Sequence, residues 1–355
     1  MIFLITAFAG MGVFMRGSFA AITSLLFCLF LGPFFIRKLF ELKIGQPIRQ
    51  MQGFLLGELH RNKKDTPTMG GLLIVVSVFF SSLLWMDFSH VSTWILLGST
   101  LIFALLGGYD DYLKLRYKSS RGLSASKKMA FQLLAAVLVI VCQRVFLPSP
   151  QNDLLYCPFL NGPLLYFSGV WLVLLWGFLA FVIVGASNAV NLSDGLDGLA
   201  SGLSLFVLLA LGVCGLVEGS VQNLPEVVVF LFSVFGACLG FLWYNCHPAQ
   251  LFMGDIGSLT LGGVMGVSAV LLKHELFLGI VGGIFVLEAL SVIVQVASYK
   301  FRNKKRIFLC APLHHHFEYK GWPETKVVVR FWIVGFLLLC IGLASLFFRS
   351  DFWKK

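Results

Sequence analysis

The sequence predicts an all-α integral membrane protein with about ten transmembrane helices. Of its 355 residues, 58% are hydrophobic and only 12% are charged, whereas a soluble domain carries roughly 25% charged residues. Phe and Gly are abundant, with 36 of each, as expected for helices that lie in lipid. Because no stretch is long enough for a separate soluble core, we expect one polytopic membrane domain over residues 1–355.

Ten apolar stretches reach or approach the ~20 residues that a membrane-spanning helix needs. They lie near residues 19–36, 70–86, 93–109, 129–147, 170–187, 198–217, 227–246, 256–272, 276–299 and 331–348. The apolar run before Arg16 is shorter, and we expect it to pack against the bundle as a half-helix. Eight Cys lie mostly inside apolar runs without metal-binding spacing, which indicates buried thiols.

The distribution of basic residues predicts the orientation of these spans. The first, third and ninth loops hold 21 of the 27 Lys and Arg residues. Because basic loops remain in the cytoplasm during insertion, the odd loops should be cytoplasmic and both termini periplasmic. The net charge of +10 then suits anionic lipid head groups and phosphorylated substrates, and no nucleic-acid partner is expected.

Five Asp residues are predicted to meet the membrane at one depth on the cytoplasmic side. Asp110 and Asp111 end the third span in GYDDYLK, Asp194 and Asp197 open the sixth, and Asp255 opens the eighth in FMGDIGSL. An Asp that opens a helix can simply be a cap. Asp110 and Asp111 stand at the predicted C-terminus of their helix, where the dipole disfavours negative charge, so we expect a cation beside them.

Mg2+ is the expected cation, because it is a hard ion that binds one or two carboxylates together with substrate phosphates and water. The alternative is Zn2+ bound by His314, His315 and His316. Three consecutive His residues cannot all face one tetrahedral ion, and no Cys stands beside them in a zinc-binding pattern. We therefore interpret the His segment as an element that contacts phosphate or positions the substrate.

Further polar residues gather at the same predicted face. Asn188, Asn191, Asp194 and Asp197 recur every three residues, and amides at the edge of lipid are costly without partners, so a polar cleft is expected. Gly195 and Gly198 interrupt this run and leave backbone N–H groups near a helix start, which favours phosphate binding.

Basic side chains are predicted to reach this cleft as well. Lys63, Lys114 and Lys128 could supply cations to it or could merely obey the topology rule. Lys114 is the strongest candidate, because it lies three residues beyond Asp111 and shares its face if the helix continues. Glu288, the one charge near the middle of a span, is expected to form a pair within the bundle.

Four motifs in order resemble those of the phospho-N-acetylmuramoyl-pentapeptide transferases (MraY-type translocase I) of the polyprenyl-phosphate N-acetylhexosamine-1-phosphate transferase superfamily. They are GYDDYLK, SNAVNLSDGLDGLASG, WYNCHPAQLFMGDIGSL and APLHHHFEYKGWPE. The similarity runs from TPTMGG at Thr66 to VRFW at Arg330. The chain departs from the family at Asp65, where the family has Gly, and this affects the expected placement of Lys63.

The resemblance implies an inner-membrane enzyme that transfers phospho-MurNAc-pentapeptide from UDP-MurNAc-pentapeptide to undecaprenyl phosphate, giving lipid I and UMP. It further implies Mg2+ dependence, a cytoplasmic active site and a homodimer. Asp255 is implied as the principal Mg2+ ligand, with Asp110 and Asp111 as catalytic or metal-proximal acids. The residues implied at the uridine pocket are Lys63, Gly195, Leu196, Asp197, Asn245 and Phe252, and Phe252 would stack on the base. Those implied in the rest of the cleft are Lys114, Lys128, Asn188, Asn191, Asp194, Gln295, His314, His315 and His316, with Lys114, Asn191 and His314 among the catalytic groups.

Alternatives remain open at the level of mechanism and substrate. Direct attack by the lipid phosphate needs no general base, because a phosphate monoester is largely ionised at pH 7. A two-step route would instead make Asp110 or Asp111 a nucleophile. A GlcNAc-1-phosphate transferase is the competing enzyme, and a cation transporter is the competing class, although transport sites usually lie at the bilayer midplane.

Overall fold

The computed structural model describes residues 12–42, 66–117, 122–218 and 224–347, which form a bundle of apolar helices. In chain order the first six helices are α1 (Val13–Glu41), α2 (Gly71–Trp85), α3 (Val91–Arg116), α4 (Ala125–Phe146), α5 (Leu172–Ser193) and α6 (Leu199–Glu218). The remaining six are α7 (Pro225–Asn245), α8 (Gly254–Leu272), α9 (Glu275–Val281), α10 (Gly283–Phe301), α11 (Leu313–Tyr319) and α12 (Glu324–Phe347).

Nine of the helices in the described ranges are long and apolar enough to cross a membrane. They are α1, α3 to α8, α10 and α12. Helix α2 is apolar but has only 15 residues, or about 22 Å at 1.5 Å per residue. The ten predicted apolar segments therefore all form helices, and the all-α membrane class is confirmed.

Three predicted details differ from the structure. The ninth span is two helices, because the chain breaks at Gly282 between α9 and α10. Helix α3 continues seven residues past the predicted end at Tyr109, to Arg116. A short antiparallel hairpin between α4 and α5, β1 (Leu154–Tyr156) and β2 (Pro163–Tyr166), was not expected.

Helix α8 lies at the centre of the bundle and is buried along almost its whole length. It packs against α5 on one side and against α3 and α2 on others. Helix α1 packs on α7 and α2, and α12 packs on α6. The loops that enter α8 and leave α3 and α5 therefore meet at one end of the bundle. The apolar run before Arg16 lies mostly outside the described residues, and α1 already begins at Val13.

Candidate functional site

Three carboxylates from two helices converge at this end of the bundle. Asp110 and Asp111 lie in α3, Asp255 lies in the first turn of α8, and all three are buried. One carboxylate oxygen from each lies within 4.8 Å of the others. Three of the five Asp residues predicted to meet, Asp110, Asp111 and Asp255, thus lie together, whereas Asp197 belongs to a second group and Asp194 follows the last residue of α5.

Close backbone contacts between the helices bring these carboxylates together. A methyl group added at Gly107 would lie 2.3 Å from the carbonyl oxygen of Asp255, and one added at Gly71 would lie 2.1 Å from the backbone nitrogen of Gly257. Separations under about 3 Å are far too short for carbon. Only glycine therefore allows α3 and α2 to approach the first turn of α8 this closely.

The expectation that Asp110 and Asp111 stand at a helix C-terminus without a capping role was wrong. Helix α3 continues to Arg116, and Asp111 caps a different helix: its Oδ2 accepts the backbone N–H of Ile256, in the first turn of α8, at 3.1 Å. Asp110 Oδ1 accepts the backbone N–H of Leu123 at 2.6 Å. Each of these acids thus commits one oxygen to holding the site together.

Two lysines lie against the carboxylates. Lys114 Nζ is 2.7 Å from Asp110 Oδ2 and 3.0 Å from Asp255 Oδ1. It is also 3.7 Å from Oδ1 of Asp111, the residue whose helical face it was predicted to share. Lys128 Nζ, from α4, is 2.6 Å from Asp255 Oδ2 and 3.4 Å from Asp110 Oδ2. Three carboxylates and two ammonium groups leave one formal negative charge in a buried setting, which attracts a further cation.

The amides of α5 complete this cluster. Asn191 Nδ2 donates to Asp255 Oδ1 at 3.1 Å and to Ser258 Oγ at 2.9 Å. One turn earlier, Asn188 Nδ2 donates to Gln132 Oε1 at 2.8 Å. The predicted polar face of this helix therefore exists, and Asn191 is the member that reaches the carboxylates.

The donor set fits a hard divalent ion. All three groups offer carboxylate oxygens, the ligand type that Mg2+ prefers, and no Cys or His belongs to this cluster. Asp110 Oδ2 is buried, and no described residue donates a hydrogen bond of good geometry to it. Its neighbours are the ammonium groups of Lys114 and Lys128, at 2.7 and 3.4 Å. Asp255 and Asp110 are the residues that would hold such an ion.

A second polar cluster surrounds Asp197, just before α6. Asp197 Oδ2 accepts the backbone N–H of Ala249 at 3.1 Å and lies 3.1 Å from Nδ1 of His247. The Asp197 backbone N–H donates to Glu324 Oε1 at 2.7 Å, and Asn245 Oδ1 accepts from the Gly198 N–H at 3.2 Å. Asp197 and Asn245, both predicted at the uridine pocket, therefore lie in one network.

The His segment is helical rather than an open loop. Residues 313–319 form α11, in which His314 and His315 are buried. His314 is bound by Glu288, the bundle pairing expected for that carboxylate, and His315 Nδ1 lies 2.6 Å from Glu318 Oε2. His316 Nδ1 accepts the backbone N–H of Leu309 at 3.1 Å. Burial, with the nearby Lys320, holds the pKa of His316 below its usual range.

The remaining predicted site residues are placed as follows. Lys63 lies outside the described residues. Gln295 binds the backbone at residues 307 and 308 through both ends of its amide. Asp194 is the residue that follows the last turn of α5. Gly195 lies against His314, and Leu196 is buried. The backbone of Phe252 forms hydrogen bonds with the backbone of Pro67 and of Gly70.

The sequence reasoning missed His247, Glu324 and Gln132, which bind predicted site residues. His247 stands inside the quoted motif WYNCHPAQLFMGD, two residues after Asn245, and that position could have drawn attention to it. Glu324 is the last residue of the quoted motif APLHHHFEYKGWPE, so its position could also have drawn attention to it, although its partner lies 127 residues away. Gln132 lies 56 residues from its partner, and no local pattern marks it.

Comparisons with known proteins show which family this chain resembles. The Glycosyl transferase family 4 model matches residues 93–273, which is half of the chain. The phospho-N-acetylmuramoyl-pentapeptide-transferase signature 1 matches residues 63–75. The chain is 50% identical to the phospho-N-acetylmuramoyl-pentapeptide-transferase of Protochlamydia amoebophila, with 93% of each chain covered. It is 46% identical to that of Desulfotalea psychrophila, with 97% of each covered, and 44% identical to that of Koribacter versatilis, with 94% of this chain and 93% of the relative covered.

Proposed function

The chain belongs to the phospho-N-acetylmuramoyl-pentapeptide-transferase family, and we propose that it transfers phospho-MurNAc-pentapeptide from UDP-MurNAc-pentapeptide to undecaprenyl phosphate, releasing UMP. The product is lipid I of peptidoglycan synthesis. The observation that carries the proposal is the buried cluster of Asp110, Asp111 and Asp255 with Lys114 and Lys128. Transfer of a phosphoryl group is catalysed mainly by positioning and charge neutralisation, and this cluster provides both.

Mg2+ is the ion that fits this cluster, held by Asp255 with Asp110 or Asp111. When bound, it supplies Lewis-acid polarisation and neutralises phosphate charge. Lys114 and Lys128 already lie on the same carboxylates, so they can turn to the diphosphate of the donor as it enters. Asn191 fixes the Asp255 carboxylate by donating to its Oδ1.

The lipid phosphate attacks the sugar-proximal phosphorus directly, and UMP leaves. Two observations support this over a two-step route through an aspartyl-phosphate. Asp111 gives one oxygen to the Ile256 N–H, and Asp110 gives one to the Leu123 N–H. Both side chains are also at most 5% exposed. Such bound, buried carboxylates are suited to orienting partners rather than to attacking phosphorus.

The nucleotide end of the donor binds beside the second cluster. Asp197 and Asn245 are tied to the residues that lead into α8, so this pocket and the carboxylate cluster are joined by a short segment. Gly195, Leu196 and Phe252 lie on the same two loops. The rest of the cleft is proposed to be lined by Lys63, Lys114, Lys128, Asn188, Asp194, Gln295 and the three His residues.

Location and assembly follow from the basic loops and from the family. We place the enzyme in the bacterial inner membrane, with the carboxylate cluster at the cytoplasmic face and with both termini periplasmic. A cysteine introduced at exposed Lys127, in a variant without native Cys, should react with an impermeant maleimide only in inside-out vesicles. Reaction in right-side-out cells would show that the topology is the opposite of the one proposed. Homodimerisation stays a prediction, which the mass of the purified detergent complex would test.

A donor assay tests the function. The purified chain is given undecaprenyl phosphate with either UDP-MurNAc-pentapeptide or UDP-GlcNAc, and both the lipid product and UMP are measured. We expect turnover with the first donor only, loss of turnover in chelator with recovery in Mg2+, and loss of at least about 100-fold in Asp255→Asn, since one charge-stabilising contact is worth that much. Turnover with UDP-GlcNAc would favour the competing transferase. UMP release without lipid acceptor would favour the two-step route.

A further inference from the structure

A buried carboxylate holds the first His of the His segment in one orientation. Glu288, in α10, and His314, in α11, are both completely buried. Glu288 Oε1 accepts the backbone N–H of His314 at 3.1 Å, and Glu288 Oε2 lies 3.1 Å from its ring Nδ1. One carboxylate therefore fixes both the backbone and the ring of the same residue.

The other ring nitrogen, Nε2, lies against the loop that follows α5. His314 Nε2 is buried and makes no hydrogen bond to any described residue. It lies against Gly195, where an added Cβ would be 2.3 Å away. Gly195 follows α5, the helix whose Asn191 binds Asp255. A buried nitrogen without a partner is costly, and so this one is suited to meet a ligand.

We infer that Glu288 is a positioning residue: it accepts the Nδ1–H of His314 and so leaves Nε2 as the ring atom that contacts the donor substrate beside Gly195. The inference rests on the proposed function, since it assigns His314 to the same site. Nε2 can contact the substrate whether the His314 ring is neutral or protonated, because Nδ1–H is donated to Glu288 in both forms. Nε2 offers a lone pair in the neutral ring and a proton in the charged one. Carboxylates set His tautomers in this way in metal sites and catalytic triads.

Glutamine is an informative replacement for Glu288. It has nearly the same shape but only one acceptor oxygen, whereas His314 uses two acceptors, one for the backbone N–H and one for Nδ1. Glu288→Gln replaces one of these oxygens with an NH2 group. Placed against Nδ1, that group would move the ring proton to Nε2; placed at the backbone N–H, it would leave the one remaining oxygen to accept both donors, the backbone one at only 3.5 Å. The side-chain volume stays almost unchanged.

The test compares Glu288→Gln, His314→Ala and the double variant in lipid I synthesis by the full-length chain. We expect Glu288→Gln to lower kcat about 100-fold, as misplacement of a contacting group can, and the double variant to equal His314→Ala within about threefold. Independent losses that multiply in the double variant would overturn the inference, as would a wild-type kcat in Glu288→Gln.

Glu275→Gln is the matched control. Glu275 is another buried carboxylate, paired with Lys273 at 2.8 Å and bonded to neither His314 nor the carboxylate cluster in the described contacts. We expect this variant to keep kcat within about twofold of wild type. A loss equal to that of Glu288→Gln would show that removal of any buried charge disturbs the bundle, and would contradict a specific role.

A spectroscopic readout separates this inference from the proposed function. In protein labelled with 15N-histidine, the His314 signals are those missing from a His314→Gln spectrum, and we expect them to show a protonated Nδ1 that is lost in Glu288→Gln. If the wild-type chain made no lipid I, the proposed function would be contradicted. The spectrum would still test whether Glu288 accepts the Nδ1–H of His314. An unprotonated Nδ1 in active wild-type enzyme would contradict the inference about Glu288 and leave the proposed function standing.

Discussion

Asp111 of α3 accepts, through Oδ2, the backbone N–H of Ile256 in the first turn of α8, at 3.1 Å. The same turn carries Asp255, whose side chain is bound by Lys114, Lys128 and Asn191. One carboxylate of the site therefore anchors the helix that presents another. This links the stability of the bundle to the geometry of the carboxylate cluster.

The cap predicts different outcomes for two replacements of Asp111. Asp111→Asn keeps an oxygen that can accept from Ile256, whereas Asp111→Ala loses it, at a cost of about 1 kcal/mol for a helix cap. We expect both to be nearly inactive, with the Ala variant melting at lower temperature in detergent. Equal melting temperatures would show that the cap contributes nothing, and an active Asn variant would show that the charge is dispensable.

Removal of Lys128 should strengthen the response to Mg2+. In Lys128→Met the Asp255 and Asp110 carboxylates lose one cation, so their mutual repulsion grows until a divalent ion relieves it. We expect a lower melting temperature without metal, a larger rise on adding millimolar Mg2+ than in wild type, and reduced turnover. Lys127→Met is the matched control, because Lys127 is the exposed neighbour, and it should respond as wild type does. An unchanged Mg2+ response in Lys128→Met would contradict a metal at this cluster.

A methyl group at Gly107 should disturb the site through the backbone. It would collide with the Asp255 carbonyl at 2.3 Å, and overpacking of this kind costs about 1–3 kcal/mol. Gly107→Ala is therefore expected to lower both the melting temperature and turnover. Gly98→Ala lies on the same helix with open space around it and should be neutral or slightly stabilising. Similar losses in both variants would mean that the close approach at Gly107 is not special.

His247 should tune donor binding rather than chemistry. It lies 3.1 Å from Asp197 Oδ2 and 3.6 Å from Glu324 Oε2, but its side chain is 41% exposed. Exposed pairs are worth about 0–1 kcal/mol, so His247→Ala should raise KM for the UDP donor at most about fivefold and leave kcat unchanged. His90→Ala removes a comparably exposed partner of Asp87 and should change neither constant. A fall in kcat with constant KM would place His247 nearer the chemistry.

Local sequence patterns predicted the helices and part of the carboxylate cluster. They did not predict the hairpin or the side-chain pairs between residues far apart in the chain. The apolar segments gave the helices, and the shared helical face of Asp111 and Lys114 was visible in the sequence. The hairpin was not, because its strands have three and four residues and β2 is wholly exposed. Sequence could not pair Glu288 with His314 or Asp197 with Glu324, since these partners lie 26 and 127 residues apart and meet only after the helices pack.

The two lysines of the cluster have a consequence for biogenesis. Together they offset most of the negative charge of Asp110, Asp111 and Asp255, so the newly inserted chain carries its own counterions. We therefore expect the chain to fold without a divalent ion, unlike small zinc domains, which fold only with their metal. Folding of the bundle and occupation of the proposed Mg2+ site are then expected to be separate events.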